Sequence, residues 1–93
     1  MIGELFEQNG VLKQHKRFKI VKKQGEKGDQ IPKHHHPLEL VVFTVVKGKV
    51  QVWLDDNETH IVEPGKVLHF DGEHFIQAEF LEAGEVVVTL IVK

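Results

Sequence analysis

Along most of the chain, apolar side chains recur at every second position, and the 3.6-residue spacing of an amphipathic helix is almost absent. That alternation is the mark of strands that turn one face to a core. It predicts strands over Val11 to Leu12, Phe18 to Lys23, Lys33 to His36, Leu40 to Val46, Lys49 to Asp55, Thr59 to Val62, Val67 to Phe70, Phe75 to Phe80 and Val86 to Val92. Turn-forming residues fill the gaps: Gly25 to Asp29, Pro37, Lys47-Gly48, Asp56-Asn57, Pro64-Gly65, Asp71-Gly72 and Ala83-Gly84. Short strands spaced about ten residues apart, with glycine or asparagine between them, predict an all-β sandwich or barrel. The one helical alternative lies in the first eight residues, where Ile2, Leu5 and Phe6 suit a single short turn.

Two stretches, Leu40 to Val46 and Val86 to Val92, break the alternation because both of their faces are apolar. Such a strand is buried on both sides or lies against another subunit. The expectation is a homodimer. The rival is intramolecular cover of the second face by Ile2 to Phe6.

Length and charge narrow the class. At 93 residues the chain is the size of one domain, taken as 1–93. With no cysteine there is no disulfide to staple it, and any metal must be held by nitrogen and oxygen. A net charge of −2 argues against a nucleic-acid surface, which concentrates Lys and Arg. The one basic stretch, Lys13 to Lys23, alternates with Phe18 and Ile20 and reads as the solvated face of a strand. The acidic start, Met-Ile-Gly-Glu-Leu-Phe-Glu, lacks the basic and apolar regions of a signal peptide. No apolar run reaches the roughly 20 residues of a spanning helix. The expected setting is cytoplasmic, with no membrane or nucleic-acid partner.

Seven residues are histidine, and five of them fall in two clusters, His34, His35, His36 and then His69, His74. On a strand, residues two apart share a face, so His34 and His36 converge while His35 turns away. Neutral imidazoles on one face suit a divalent transition metal such as zinc, iron, nickel, manganese or copper. His74, from another strand, is the chosen third ligand. His69 is read as packed, with a proton shuttle as its functional alternative, and His60 has no assigned role. No Ser-His-Asp order, glycine-rich phosphate loop or tyrosine supports covalent catalysis.

These residues resemble the signatures of the cupin superfamily. The run Gly28-Asp-Gln-Ile-Pro-Lys-His34-His35-His36 is similar to the opening of the first signature, and Val45-Val46-Lys47-Gly48-Lys49-Val50 to its close. Pro64-Gly65-Lys66-Val67-Leu68-His69-Phe70-Asp71-Gly72-Glu73-His74 is similar to the second, with a last loop about two residues short of the usual count. The signatures cover about residues 28–48 and 64–78. The resemblance implies a double-stranded β-helix, or jelly-roll barrel, with a metal held in the barrel by His34, His36 and His74. It also departs from the family in one position. Seven residues before Gly48 stands Val41, where metal-binding cupins usually carry a glutamate. Valine cannot ligate, so the site is three-histidine unless a bulge brings in Glu39.

The resemblance leaves two function classes. One is a metalloenzyme of dioxygenase, isomerase or decarboxylase type acting on a small molecule. The other is a non-catalytic cupin that binds or senses a small ligand, with metal incidental. The discriminating feature is a general acid or base beside the metal, for which only His69 and Glu39 are available.

Overall fold

The structure, a computed structural model, describes residues 2–93. Seven strands form in chain order: β1 (Gly10–Gln14), β2 (Phe18–Gly25), β3 (Gln30–His34), β4 (Glu39–Leu54), β5 (Glu58–Val62), β6 (Val67–Asp71) and β7 (Ile76–Val92). All pair antiparallel. There is no helix among the described residues, and residues 2–9, where a helical turn was the alternative, form neither helix nor strand.

The two long strands organise the molecule. β4 and β7 pair from Glu39 with Val92 to Leu54 with Ile76, with register shifts between Val45 and Val50. Around that irregular stretch each strand passes from one layer of the barrel to the other. The N-terminal half of β4 and the C-terminal half of β7 pair with β6 and β2, and β1 continues that layer. The other halves pair with β5 and β3 and form the second layer. This is the expected all-β jelly roll.

Lys47-Gly48 and Ala83-Gly84 are therefore corners within strands, where the sequence pattern suggested turns between four separate ones. Gly48 has φ +84, and a Cβ on it would lie 2.5 Å from the carbonyl oxygen of Ala83. A Cβ on Gly84 would collide with the Lys47 carbonyl. The two backbones cross too closely for side chains, which lets both strands bend without a hairpin.

Inward-facing residues of both layers form one core that includes Val45, Val50, Val52, Ala78, Phe80 and Val86. The cross-strand rows of the first layer explain its two apolar faces. Val21, Val88 and Phe43 stand side by side inward, whereas Phe18, Ile91 and Leu40, then Ile20, Thr89 and Val42, stand side by side outward. Ile2 and Leu5 stay fully exposed, so these two residues of the N-terminal segment do not cover that outer face.

Candidate ligand cavity

The polar content of the barrel interior comes from two edges. β3 contains Pro32, which is tolerated because β3 pairs with β7 alone and has a free edge. The pairing jumps from Ile31 with Ala78 to His34 with Ile76, so a bulge rotates His34 onto the inner face. The strand starts earlier than the pattern suggested and ends at His34, leaving His36 in the following turn. That turn, His36-Pro37-Leu38-Glu39, is closed by a 3.0 Å bond from the Glu39 N–H to the His36 carbonyl. Gly72 clasps it from the β6–β7 connection. The His36 N–H donates to the Gly72 carbonyl at 2.8 Å, and the Gly72 N–H donates to the Glu39 carbonyl at 2.9 Å. A side chain at position 72 would strike the carbonyls of His36 and Glu39.

So held, His34 and His36 meet edge to face, with ring centroids 4.9 Å apart. His34 Nδ1–H donates to the Pro32 carbonyl at 2.7 Å, which leaves Nε2 as the unprotonated nitrogen of a neutral ring. His36 Nδ1 lies 3.7 Å from a Glu39 carboxylate oxygen. Burial and the neighbouring His34 hold the His36 pKa below its ordinary value, against the opposing pull of Glu39, and Lys23 adds to the repulsion. Both rings line a cavity of about 460 Å³ between β2, β4 and β7 of the first layer and β3 of the second. Its walls are otherwise apolar, Val21, Ile31, Val41, Phe43, Ile76 and Val88 among them, apart from Lys19 and Lys23. No carboxylate lines it. Its size falls within the range of small-molecule sites.

His74 is elsewhere. The turn Asp71-Gly72-Glu73-His74 closes with a 3.1 Å bond from the His74 N–H to the Asp71 carbonyl, so His74 ends a tight turn instead of opening β7. The short loop noted in the sequence is the physical cause: β7 begins at Ile76, and Ile76, 4% exposed, takes the place in the cavity wall beside His34. His74 stays exposed, its Nδ1–H donating to Asp55 Oδ2 at 2.7 Å. That bond raises its pKa, and the Phe75 N–H with His74 lowers that of Asp55. Asp55 escaped the sequence reading although its signal was there. It begins an Asp-Asp-Asn turn, where such residues accept the left-handed backbone seen at Asp55 and Asp56, with φ 53 and 63.

The remaining candidates separate cleanly. Val41, 1% exposed, faces the cavity at the position of the family's glutamate. His35 points away and stacks on Phe75 at 4.1 Å. His69 is exposed on the outer side of β6, where its Nδ1–H donates to the Val41 carbonyl, so the packed reading does not hold. His60 pairs with Glu58.

A divalent metal must be tested against this donor set. Two imidazoles stand together, but among the described residues no group of three His, Asp or Glu side chains converges on one point. The positions that would complete the sphere carry Val41 and Ile76. The arrangement does not fit a three-histidine ion site, though it does fit a ligand that accepts or donates hydrogen bonds to two imidazoles in an apolar chamber.

Comparison with known proteins agrees with the architecture. The chain is 34% identical over 53 residues to quercetin 2,3-dioxygenase of Bacillus subtilis, a match that takes in 57% of this chain and 15% of that enzyme. Among solved structures, an RmlC-like cupin with a double-stranded β-helix fold from Methanocaldococcus jannaschii superposes with a TM-score of 0.85 at 20% identity, over 99% of this chain and 93% of that one. An RmlC-like cupin from Desulfovibrio desulfuricans gives 0.81 at 20% identity, over 88% of this chain and 78% of that one. The profile of the family described as Cupin domain matches residues 24–91, from the end of β2 to the end of β7, and the chain belongs to that family.

Proposed function

We propose that this cupin is a small-molecule binding protein whose ligand occupies the barrel cavity and is oriented by His34 and His36. The observation that carries this reading is the cavity itself: mostly apolar, with few polar groups, two of which, His34 and His36, stand together in its wall. That is the usual make-up of a small-molecule site. Nothing in its wall offers a carboxylate or hydroxyl as a separate acid or base beside the imidazoles, which favours binding over turnover. The test is a fragment screen followed by amide chemical shifts. Binders should move the signals of Val41, Phe43, Val88 and Leu90, and Val88→Phe, which fills the chamber, should abolish the shifts while the protein stays folded. Binders that leave those signals still, or that survive the filled cavity, would overturn the reading.

A second reading is metal binding by His34 and His36. It is favoured by the His34 Nδ1–H bond to a backbone carbonyl, the support that metal-bound imidazoles commonly have, and by Glu39 next to His36. The likeness to a dioxygenase agrees with it. Elemental analysis of protein purified without a histidine tag decides. Metal at one per chain, lost in His36→Ala and tightened in Val41→Glu, supports this reading; wild-type protein free of metal rejects it.

A further inference from the structure

The cavity has an unbalanced charge that its surroundings do not explain. β2 places Lys19 and Lys23 on the face it shares with Val21, Lys19 half-buried in the cavity wall and Lys23 exposed at its rim, while Lys22 is on the opposite face. The outward lysine is compensated, since its amine lies 3.5 Å from Glu85 and donates to the Glu7 carbonyl at 3.0 Å. Among the described residues neither Lys19 nor Lys23 has an ion pair or hydrogen bond, although 14 acidic residues are spread over the chain. Lys19 stands in the cross-strand row of Leu90 and Val41, and Lys23 in that of Val86 and Val45. Lys19 is flanked on its other side by Gln14 of β1, and neither row holds an acidic residue. A strand whose inner side carries lysine at two of three successive positions forgoes core packing there, and nothing within the fold takes up the charge.

Resting on the reading that the cavity holds the ligand, we propose that this ligand is a small organic acid: an apolar body bearing one carboxylate, neutralised by Lys19 and Lys23, with His34 and His36 bonding its polar end. The cavity contains no arginine to grip a phosphate in a bidentate fork, and its walls are mostly apolar, which suits a ligand with a large apolar body. Lys19, half-buried in the wall, meets the single negative charge, while the exposed Lys23 keeps part of its own charge in water. The lysines are the specificity-determining residues, and the apolar walls supply the bulk of the contact.

The experiment compares benzoate, cyclohexanecarboxylate and octanoate with their primary amides, each titrated into wild-type protein and followed by amide shifts of cavity residues. Acids should bind about tenfold more tightly than amides, the gain expected of a charge-assisted hydrogen bond of roughly 1.5 kcal/mol. Lys19→Met and Lys23→Met keep the apolar stems and remove the charge. Combined, they should erase the preference by bringing the affinity for acids down to that for the amides. Equal binding of acids and amides, or a preference that survives the double substitution, overturns the ligand class and leaves the cavity reading standing. If no acid or amide moves a cavity signal, both fall. Circular dichroism of the double variant establishes that any loss reflects charge and not unfolding.

Discussion

The two ends of this barrel are built by the same two strands and have opposite characters. Beyond the Gly48–Gly84 corner, β4 and β7 turn Val50, Val52, Ala78 and Phe80 inward, and all four are at most 3% exposed. Before the corner, the same strands turn Val41, Phe43, Val88 and Leu90 toward a chamber into which a small molecule fits. The filled end is closed by Phe80, whose ring lies directly against the backbone of Gly25. One strand pair thus packs solid at one end and walls a chamber at the other, and the division falls where the glycines let the backbones cross.

The largest effect that would break this contrast is at the filled end. Phe80→Ala should cost about 3–5 kcal/mol in urea denaturation, as expected for a buried aromatic that leaves a cavity. Val88→Ala, which only enlarges a chamber already open, should cost about 1 kcal/mol. Equal losses would show that the hollow end is packed as tightly as the other.

The next effect concerns the outer face behind the chamber, where Leu40, Val42, Ile20 and Ile91 form an apolar surface. The homodimer expected from these two-faced strands is checked by light scattering at micromolar concentration: a mass twice the 10.7 kDa of the chain, falling to one chain in Val42→Asp. Wild-type protein at the single-chain mass would show that the outer face needs no partner. In the dimer case the inward neighbour, Phe43→Asp, should instead unfold the chain, because adjacent strand residues point to opposite sides and Phe43 is buried in the core.

The smallest effect distinguishes the two histidine environments. Nuclear magnetic resonance titration should place His36 below, and His74 above, their ordinary value of 6.5. The folded chain binds a proton at His36 less readily than the unfolded one. The stability associated with that ring is therefore complete above the ordinary value and is lost as pH falls below it. His74 has the opposite sign, its contribution being present at low pH and lost as pH rises through its raised value. Asp55→Asn should return His74 toward the ordinary range and leave His36 where it is.

Much of this was legible in the chain because period-two alternation reports directly on which side faces a core, and every core row follows that parity. The outward turn of His35 agrees with the same rule, whereas His34 reaches the cavity side through the bulge in β3 and His36 from the turn that follows the strand. What alternation does not register is where a strand bends without ending. Lys47-Gly48 has the composition of a hairpin turn, and only the close passage of Gly84 identifies it as a corner. His74 shows a different blindness. It was chosen as the third ligand beside a strand predicted from Phe75, but where that strand begins is decided by the hydrogen bond that closes the preceding turn and by Asp55, 19 positions away. Glu39 lay beside His36 as its spacing allowed, yet it does not line the cavity.

The Gly72 clasp bears on how the molecule acquires its binding site. His36 is oriented by a residue 36 positions later in the chain, so the loop between them must close before the ring has a fixed direction. Closure of so long a loop is entropically costly and comes ahead of any reward from the contacts it enables, which slows folding of such non-local β-topologies. A nascent or partly folded chain therefore has the histidines without the site. Under the proposed function, competence to bind would arrive with the β6–β7 connection, and ligand capture would report completed folding and not its early stages.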